Sequence, residues 1–408
     1  MDKPAKSKRG AALSFIFATL LIDIMGFAII IPVIPKLIAH LINGNLSQAS
    51  GYGGWLMACY ATMQFLFAPL LGNLSDKYGR RPVLLFSLLG FAVDYTFCAF
   101  APTIWWLFIG RAIAGFTGAS FTTASAYIAD ISTPENRANN FGMIGVAFGL
   151  GFIIGPAIGG FLGDYDIHYP FIAAGALALL NAAYGYFILP ESLSLEHRRE
   201  FDIKRANPFT SLLQLRKYES VIGLAVSLFL IYIAAQAVQS TWTYFTIYKF
   251  NWNGKMIGYS LATVGVVTAF VQGFLIRKLL PKLGNERAIW IGLLLYATGL
   301  ILFAFATQAW MMFAFLVPYG LGGIAGPAIQ GYISGSVPAN EQGNLQGSLT
   351  GLMSVSSIFG PLLMTQSFHY FTKPNPYIIF PGIPFAIGSL LMLLSAILAV
   401  RSFKRNTN

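Results

Sequence analysis

Stretches of about twenty apolar residues recur from one end of this 408-residue sequence to the other, with short polar turns between them. A helix needs roughly that many apolar residues to cross the hydrocarbon core of a bilayer. Backbone groups at that depth must be satisfied internally, so only helices and closed barrels cross. The pattern predicts an all-α integral membrane protein with twelve transmembrane helices. They fall roughly over 12–38, 51–72, 82–102, 104–127, 139–163, 170–189, 219–247, 255–276, 287–307, 309–333, 345–369 and 377–400. Charged residues make up 10% of the chain against about 25% in soluble proteins, which excludes an ordinary soluble enzyme.

The polar turns alternate in charge. Counting Lys and Arg, 21 lie at the termini and in alternate turns, among them Lys77, Arg80, Arg81, Arg137, Arg198, Arg199, Arg277, Lys278 and Arg401. The opposite side has four, Lys36, Lys249, Lys255 and Lys373, and Arg111 lies inside a span. The bias puts both termini in the cytoplasm, as an even number of spans requires. The net charge of +11 is therefore topology and not a nucleic-acid stripe. Lys3, Lys6, Lys8 and Arg9 precede a first span that contains Asp23, Pro32 and Pro35; its length is that of an uncleaved span, not of a signal peptide. Cys59 and Cys98 lie within apolar runs and form no disulfide or metal-ligand spacing.

The segment 191–218 is polar and charged. It divides the chain into an N-terminal six-helix half, 1–190, and a C-terminal half, 219–408, with a cytoplasmic linker between them. A shift of 205 residues aligns the halves without gaps: Gly79 with Gly284, Trp105 with Trp310, Gly115 with Gly320, Gly118 with Gly323, Tyr127 with Tyr332, Gly142 with Gly347 and Gly155-Pro156 with Gly360-Pro361. The halves read as pseudo-repeats.

Three features carry chemistry. The first is the turn Gly72-Asn73-Leu74-Ser75-Asp76-Lys77-Tyr78-Gly79-Arg80-Arg81-Pro82. Gly72 permits close helix approach. Asp76 suits a helix N-terminus. Arg80 and Arg81 suit bidentate pairing with carboxylates. Taken singly, these residues are also what any cytoplasmic loop contains. The second feature is the set of mid-span charges Asp23, Asp94 and Arg111, each costing about 2.5–3.5 kcal/mol to insert. Their repeat partners, Leu228, Gly299 and Leu316, are uncharged. Asp94 and Arg111 either neutralise each other as a structural pair or belong to a site where an acid exchanges a proton for a cationic substrate. The third feature is span five, where Gly145, Gly149, Gly155-Pro156 and Gly159 give a face for close packing and a bend.

The turn pattern G-x-L-x-D-x-x-G-R-R-P resembles the loop between helices 2 and 3 of the major facilitator superfamily. The span-five pattern and Gly110-Arg111 with Gly115, Gly118 and Asp130 resemble motifs of its drug/proton antiporters. Leu21–Gly26, Ile31–Pro35, Phe67–Pro69, Asp94-Tyr95, Phe148–Gly151 and Ala328–Gly331 resemble the tetracycline/proton antiporter branch. The resemblance implies two parallel six-helix halves with a site between them at mid-depth. It implies proton coupling at Asp23, Asp94 and Arg111, and a cytoplasmic gate of Gly72, Asp76, Gly79, Arg80, Arg81 and Asp130 in which Arg80 pairs with Asp130. It also implies an antiporter role for Gly145, Gly149, Gly155, Pro156 and Gly159. The chain departs from the branch at Tyr296 and Thr268, where the branch has an acid and a histidine. That departure argues against tetracycline–metal complexes as substrate.

Gln64, Gln236, Gln239, Trp242, Gln272 and Gln330 are candidate substrate contacts, with Phe65, Tyr127 and Tyr332 beside them. Glu135 reads as a solvated loop residue, and His40, His168, His197 and His369 take no role. No phosphate loop, nucleophile elbow or zinc spacing is present, so neither enzyme activity, cofactor nor metal is expected. The reading is a secondary active transporter of the bacterial inner membrane, exporting a small amphipathic molecule in exchange for protons and working as a monomer. The alternatives are a uniporter or importer of the same fold and, from another class, a membrane receptor that does not transport.

Overall fold

The computed structural model describes residues 3–133, 136–201, 222–338 and 341–407. Pro134, Glu135 and most of the 191–218 linker lie outside the described residues. All regular structure among the described residues is helical. Spans 1 to 3 are Lys3–Ile30, Leu46–Tyr78 and Arg80–Ala99. Span 4 is made of Ile104–Thr117 and Ser120–Ile131, and spans 5 to 7 are Arg137–Gly163, Tyr169–Phe187 and Ile222–Phe250. Span 8 starts at Gly254, and spans 11 and 12 are Gln342–Thr372 and Ile383–Thr407. Span 10 is broken into Ala309–Ala314, Leu316–Gly322 and Ala325–Gly335.

Eleven continuous candidate spans are present among the described residues, and the one over Gly254–Phe305 is 52 residues long. That is more than twice a single crossing. Gly284 divides it, with φ 72° and ψ 162° in the middle of the run. The repeat partner Gly79 has φ 107° and ψ 162° between spans 2 and 3. Both positions need a conformation that only glycine adopts readily. The chain therefore turns between spans 2 and 3 and between spans 8 and 9 by the same device, and the Gly254–Phe305 run counts as spans 8 and 9. Span 4 breaks at Gly118, where the next helix starts at Ser120, and span 10 breaks at the matching Gly323.

The chain forms two compact units that exchange short segments. One contains Met1–Leu37, Cys59–Asn207 and Asn253–Ala262; the other contains Ile38–Ala58, Pro208–Trp252 and Thr263–Asn408. Spans 2 and 8 thus begin in one unit and end in the other. In the first unit, Ile16, Leu20, Leu84, Ala124, Tyr127, Ile128 and Ala147 bury a core among spans 1, 3, 4 and 5. In the second, Trp242 stacks edge-on with Phe303 at 5.1 Å, and Phe385 meets Phe245 at 4.9 Å and Phe303 at 5.8 Å.

Candidate functional site

Asp94 on span 3 is fully buried, and Arg111 on span 4 reaches it with both arms of its guanidinium. Arg111 Nε donates to Asp94 Oδ1 at 3.1 Å, and a second guanidinium nitrogen donates to Oδ2. A planar guanidinium fork on a carboxylate gives two charge-assisted hydrogen bonds and leaves the pair with no net charge. The approach depends on Gly110, because a Cβ there would lie 2.7 Å from Asp94 Oδ1. The Cys98 thiol, one helical turn from Asp94, lies 3.8 Å from the same oxygen. Asp23 on span 1 is held differently. Its Oδ2 accepts from Ser120 Oγ at 2.7 Å, at the start of the second helix of span 4. No ion pair to Asp23 is found among the described residues. Gln64 on span 2 donates to the carbonyl that the break in span 4 exposes, Gly118 O, at 3.1 Å.

The cluster at the 72–82 turn is built from the same unit. Arg80 Nε donates to Asp130 Oδ2 at 3.1 Å, so the pair implied by the family resemblance is present. Arg80 also donates to Ser75 Oγ at 2.8 Å and to Asp76 Oδ1. Three expectations need correction. Asp76 pairs with Arg80, and the N-terminus of span 3 is capped by Glu191, which accepts from Arg80 N at 2.8 Å and Arg81 N at 3.2 Å. The Arg81 guanidinium binds carbonyls of span 6, Gly185 O and Tyr186 O, rather than a carboxylate. The close approach expected at Gly72 is absent: a Cβ there would meet nothing within 4 Å.

Glu191 is the residue that sequence reasoning missed. It also accepts from Ser192 N and Leu193 N, at 3.0 and 3.1 Å. Ser192 Oγ donates to Asp130 Oδ2 at 2.9 Å, and Tyr127 OH donates to Pro190 O at 2.8 Å. The start of the linker is thus fastened to the 72–82 turn. The available signal was an acid immediately after the proline that ends span 6.

Along span 5, Gly155 and Gly159 face span 1: a Cβ would lie 2.5 Å from Ala28 Cβ and 1.8 Å from Ile29 O, respectively. A Cβ at Gly145 would meet nothing within 4 Å, so close packing does not explain that glycine. In the second unit Trp242 is 1% exposed within the aromatic core, and Gln236 packs against Gly360. Gln239 and Gln272 are exposed, and Gln330 donates to Gln346 Oε1 at 3.2 Å. Gln272 lies in a π-helical turn, Val271–Leu275. Tyr296 on span 9 donates to Tyr319 OH on span 10 at 3.2 Å, with ring centroids 4.7 Å apart.

This architecture has clear relatives. The Major Facilitator Superfamily model matches residues 16–361 and 224–407. Tetracycline resistance protein, class C, from Escherichia coli is 42% identical over 358 residues, 88% of this chain and 90% of that protein. The class B protein from the same species is 35% identical, covering 86% of each chain. Among solved structures, the human organic anion transporter MFSD10 has a TM-score of 0.72 at 23% identity, over 96% of this chain and 99% of that one. The nucleoside transporter NupG has a TM-score of 0.75 at 12% identity, over 96% and 100%.

The chain belongs to the major facilitator superfamily. Within it, this is a secondary active transporter of the drug/proton antiporter type, exporting a small molecule by alternating access.

Proposed function

We propose that the exporter works in the bacterial inner membrane as a monomer, with both termini in the cytoplasm and two six-helix halves joined by the 191–218 linker. Proton exchange uses Asp23 and Asp94, with Arg111 as counter-charge. The cytoplasmic gate comprises the 72–81 turn with Asp130 and Glu191. The cargo is a small amphipathic molecule that is neutral or cationic, not a metal chelate.

The observation that most supports this cargo is the Tyr296–Tyr319 pair, with its hydroxyls 3.2 Å apart. Hard divalent cations are held by carboxylates, carbonyls and water. Two neutral phenols offer poor anchorage for a chelated metal, and no group of three or more metal-ligating side chains is found among the described residues. Aromatic faces and hydroxyls suit flat amphiphiles and organic cations.

A second reading is tetracycline itself, favoured by the 42% identity with the class C resistance protein. Everted vesicles with an imposed pH gradient separate the two. Gradient-dependent uptake of ethidium or a neutral dye, without uptake of tetracycline plus magnesium, supports the first reading. Strong gradient-dependent tetracycline uptake establishes the second. Uptake that ignores the proton gradient would overturn the coupling assignment for both.

A further inference from the structure

Span 5 and its C-cap carry Pro156, Gly160 and Asp164 at intervals of four, and span 11 carries Pro361, Thr365 and His369 at the same intervals, each 205 residues later. Residues four apart share a helix face. In the first unit this face packs on the beginning of span 8. A Cβ at Gly258 would lie 2.5 Å from Pro156 O, and one at Gly160 would lie 2.0 Å from Gly254 O. The row ends at Asp164, whose carboxylate accepts from Gly254 N at 2.8 Å and Lys255 N at 3.3 Å. A carboxylate on the first free amides of a helix satisfies donors that have no partner within the helix and meets the positive end of its dipole.

In the second unit the matching face packs on the beginning of span 2. A Cβ at Gly54 would lie 1.9 Å from Thr365 Oγ1 and 3.3 Å from Pro361 O. This row ends at His369. Its Nδ1 lies 3.0 Å from Ser47 Oγ and 2.9 Å from Ser47 O. Ser47 Oγ donates to His369 O at 3.0 Å, and Thr372 Oγ1 donates to Ser47 Oγ at 2.9 Å. Gln366 Nε2 adds a bond to Gly51 O at 3.0 Å.

Spans 2 and 8, like the short helix Ile34–Leu41, begin in one unit and continue in the other, and they are membrane-length helices. Each is therefore bolted at its start by the terminal residue of a repeat-related row. We propose that Asp164 and His369 are positioning residues for transport. They hold the outer ends of spans 8 and 2, and both bolts open and re-form in every cycle. The outer side is the side opposite the 72–82 turn. One bolt is an acidic side chain on a helix terminus and the other is an imidazole–hydroxyl knot. The proposal rests on the exporter reading above.

The test uses the full-length protein in proteoliposomes, with ethidium as probe, and hydrogen exchange of the same preparations. Asp164→Ala should lower the maximal export rate roughly ten-fold, with the KM for ethidium held within about two-fold. It should raise exchange of the Gly254 and Lys255 amides by roughly ten-fold or more while leaving the 45–55 segment at parental protection. Asp164→Asn, whose amide oxygen still accepts one N–H, should fall between Asp164→Ala and the parent. His369→Ala should show the mirror pattern, with exchange rising at 47–52 only. Parental exchange in both alanine variants overturns the proposal. So does raised exchange with parental export, which would make the bolts structural only. If the parent does not export ethidium, the cargo reading fails instead; the exchange measurements, with and without a pH gradient, then decide this proposal. Gradient-independent protection of Gly254, Lys255 and Gly51 in the parent would overturn it.

Discussion

The Asp94–Arg111 pair makes a quantitative prediction that separates a structural role from a coupling role. Removing one partner of a buried ion pair costs about 3–5 kcal/mol, because the other charge is left without compensation. At 1.4 kcal/mol for each factor of ten, that is roughly two to three and a half powers of ten in the folded population. The two single variants should not be equal. The Asp94 side chain is 1% exposed and that of Arg111 is 12% exposed. Arg111 has a long stem with which to carry its charge toward water, and Asp94 has none. Arg111→Gln should therefore destabilise more than Asp94→Asn. The double variant Asp94→Asn/Arg111→Gln keeps the shape and two neutral hydrogen-bonding groups. It should recover most of the stability lost by Arg111→Gln.

The assay is the melting temperature of the purified protein in one detergent, read beside uphill export and counterflow in proteoliposomes. The expected result is a double variant that is stable, still exchanges cargo in counterflow, and does not concentrate it. Recovery of stability together with uphill export would make the pair structural and move proton coupling elsewhere. Single variants that lose less than about 1 kcal/mol would refute the burial argument itself.

Asp23→Asn should keep counterflow of a neutral cargo and weaken binding of a cationic one, since Ser120 supplies its described hydrogen bond and an amide can keep it; equal affinities for both cargo types would count against a role for its charge. Asp76→Asn should shift the resting conformation by less than about 1 kcal/mol, as expected of a pair whose acid is 36% exposed, while Asp130 still holds Arg80; identical labelling rates of single cysteines at the cytoplasmic ends, in variant and parent, would contradict it. Glu191→Ala leaves four backbone donors without their carboxylate and should cost about 1.5–3 kcal/mol, with Glu191→Gln milder, measured by thermal melting. A drug-sensitive host carrying this chain should gain little tetracycline resistance, and a high inhibitory concentration would show that Tyr296 does not restrict the cargo.

What the sequence made legible was whatever has a period or a repeat. Apolar runs defined the crossings, and the repeat alignment paired Gly79 with Gly284, the two positions that turn with similar backbone angles. Asp94 and Arg111 stood out because a charge in a hydrocarbon layer needs a partner. Glu191 did not stand out, because its bonds to Arg80 and Arg81 span more than a hundred residues and leave no local pattern. The same distance hid the true partners of Arg81, two carbonyls on span 6. Gly72 misled for the opposite reason: a local motif invited a packing explanation, while its neighbourhood is open. The exchange of segments between the compact units was also unreadable. A helix that changes unit part-way has the same apolar period on both sides of the change.

The asymmetry between the units has a mechanistic consequence. The first unit carries the three mid-span charges, and the second has an aromatic core with the Tyr296–Tyr319 phenols. If protons are taken up in the first and cargo is read largely by the second, a change in one must do work on the other. Coupling needs a physical element that both sites bias. Spans 2 and 8 qualify because each belongs to both units. Each also carries a feature that weakens the helical ladder at repeat-related positions: Pro69 within the continuous helix of span 2, and the π-turn Val271–Leu275 in span 8, whose Phe274 is the repeat partner of Pro69. Proline removes a backbone bond and bends the helix, and a π-turn loosens the ladder locally. A proton moving down 100 mV releases about 2.3 kcal/mol, enough to support roughly a fifty-fold cargo gradient if the exchange is electrogenic. That energy is comparable with the cost of opening a few hydrogen bonds at the starts of these helices. On the proposal above, flexing at Pro69 and at the π-turn, with the ends held by His369 and Asp164, would let the energy pass along two helices instead of being lost in general loosening of the fold.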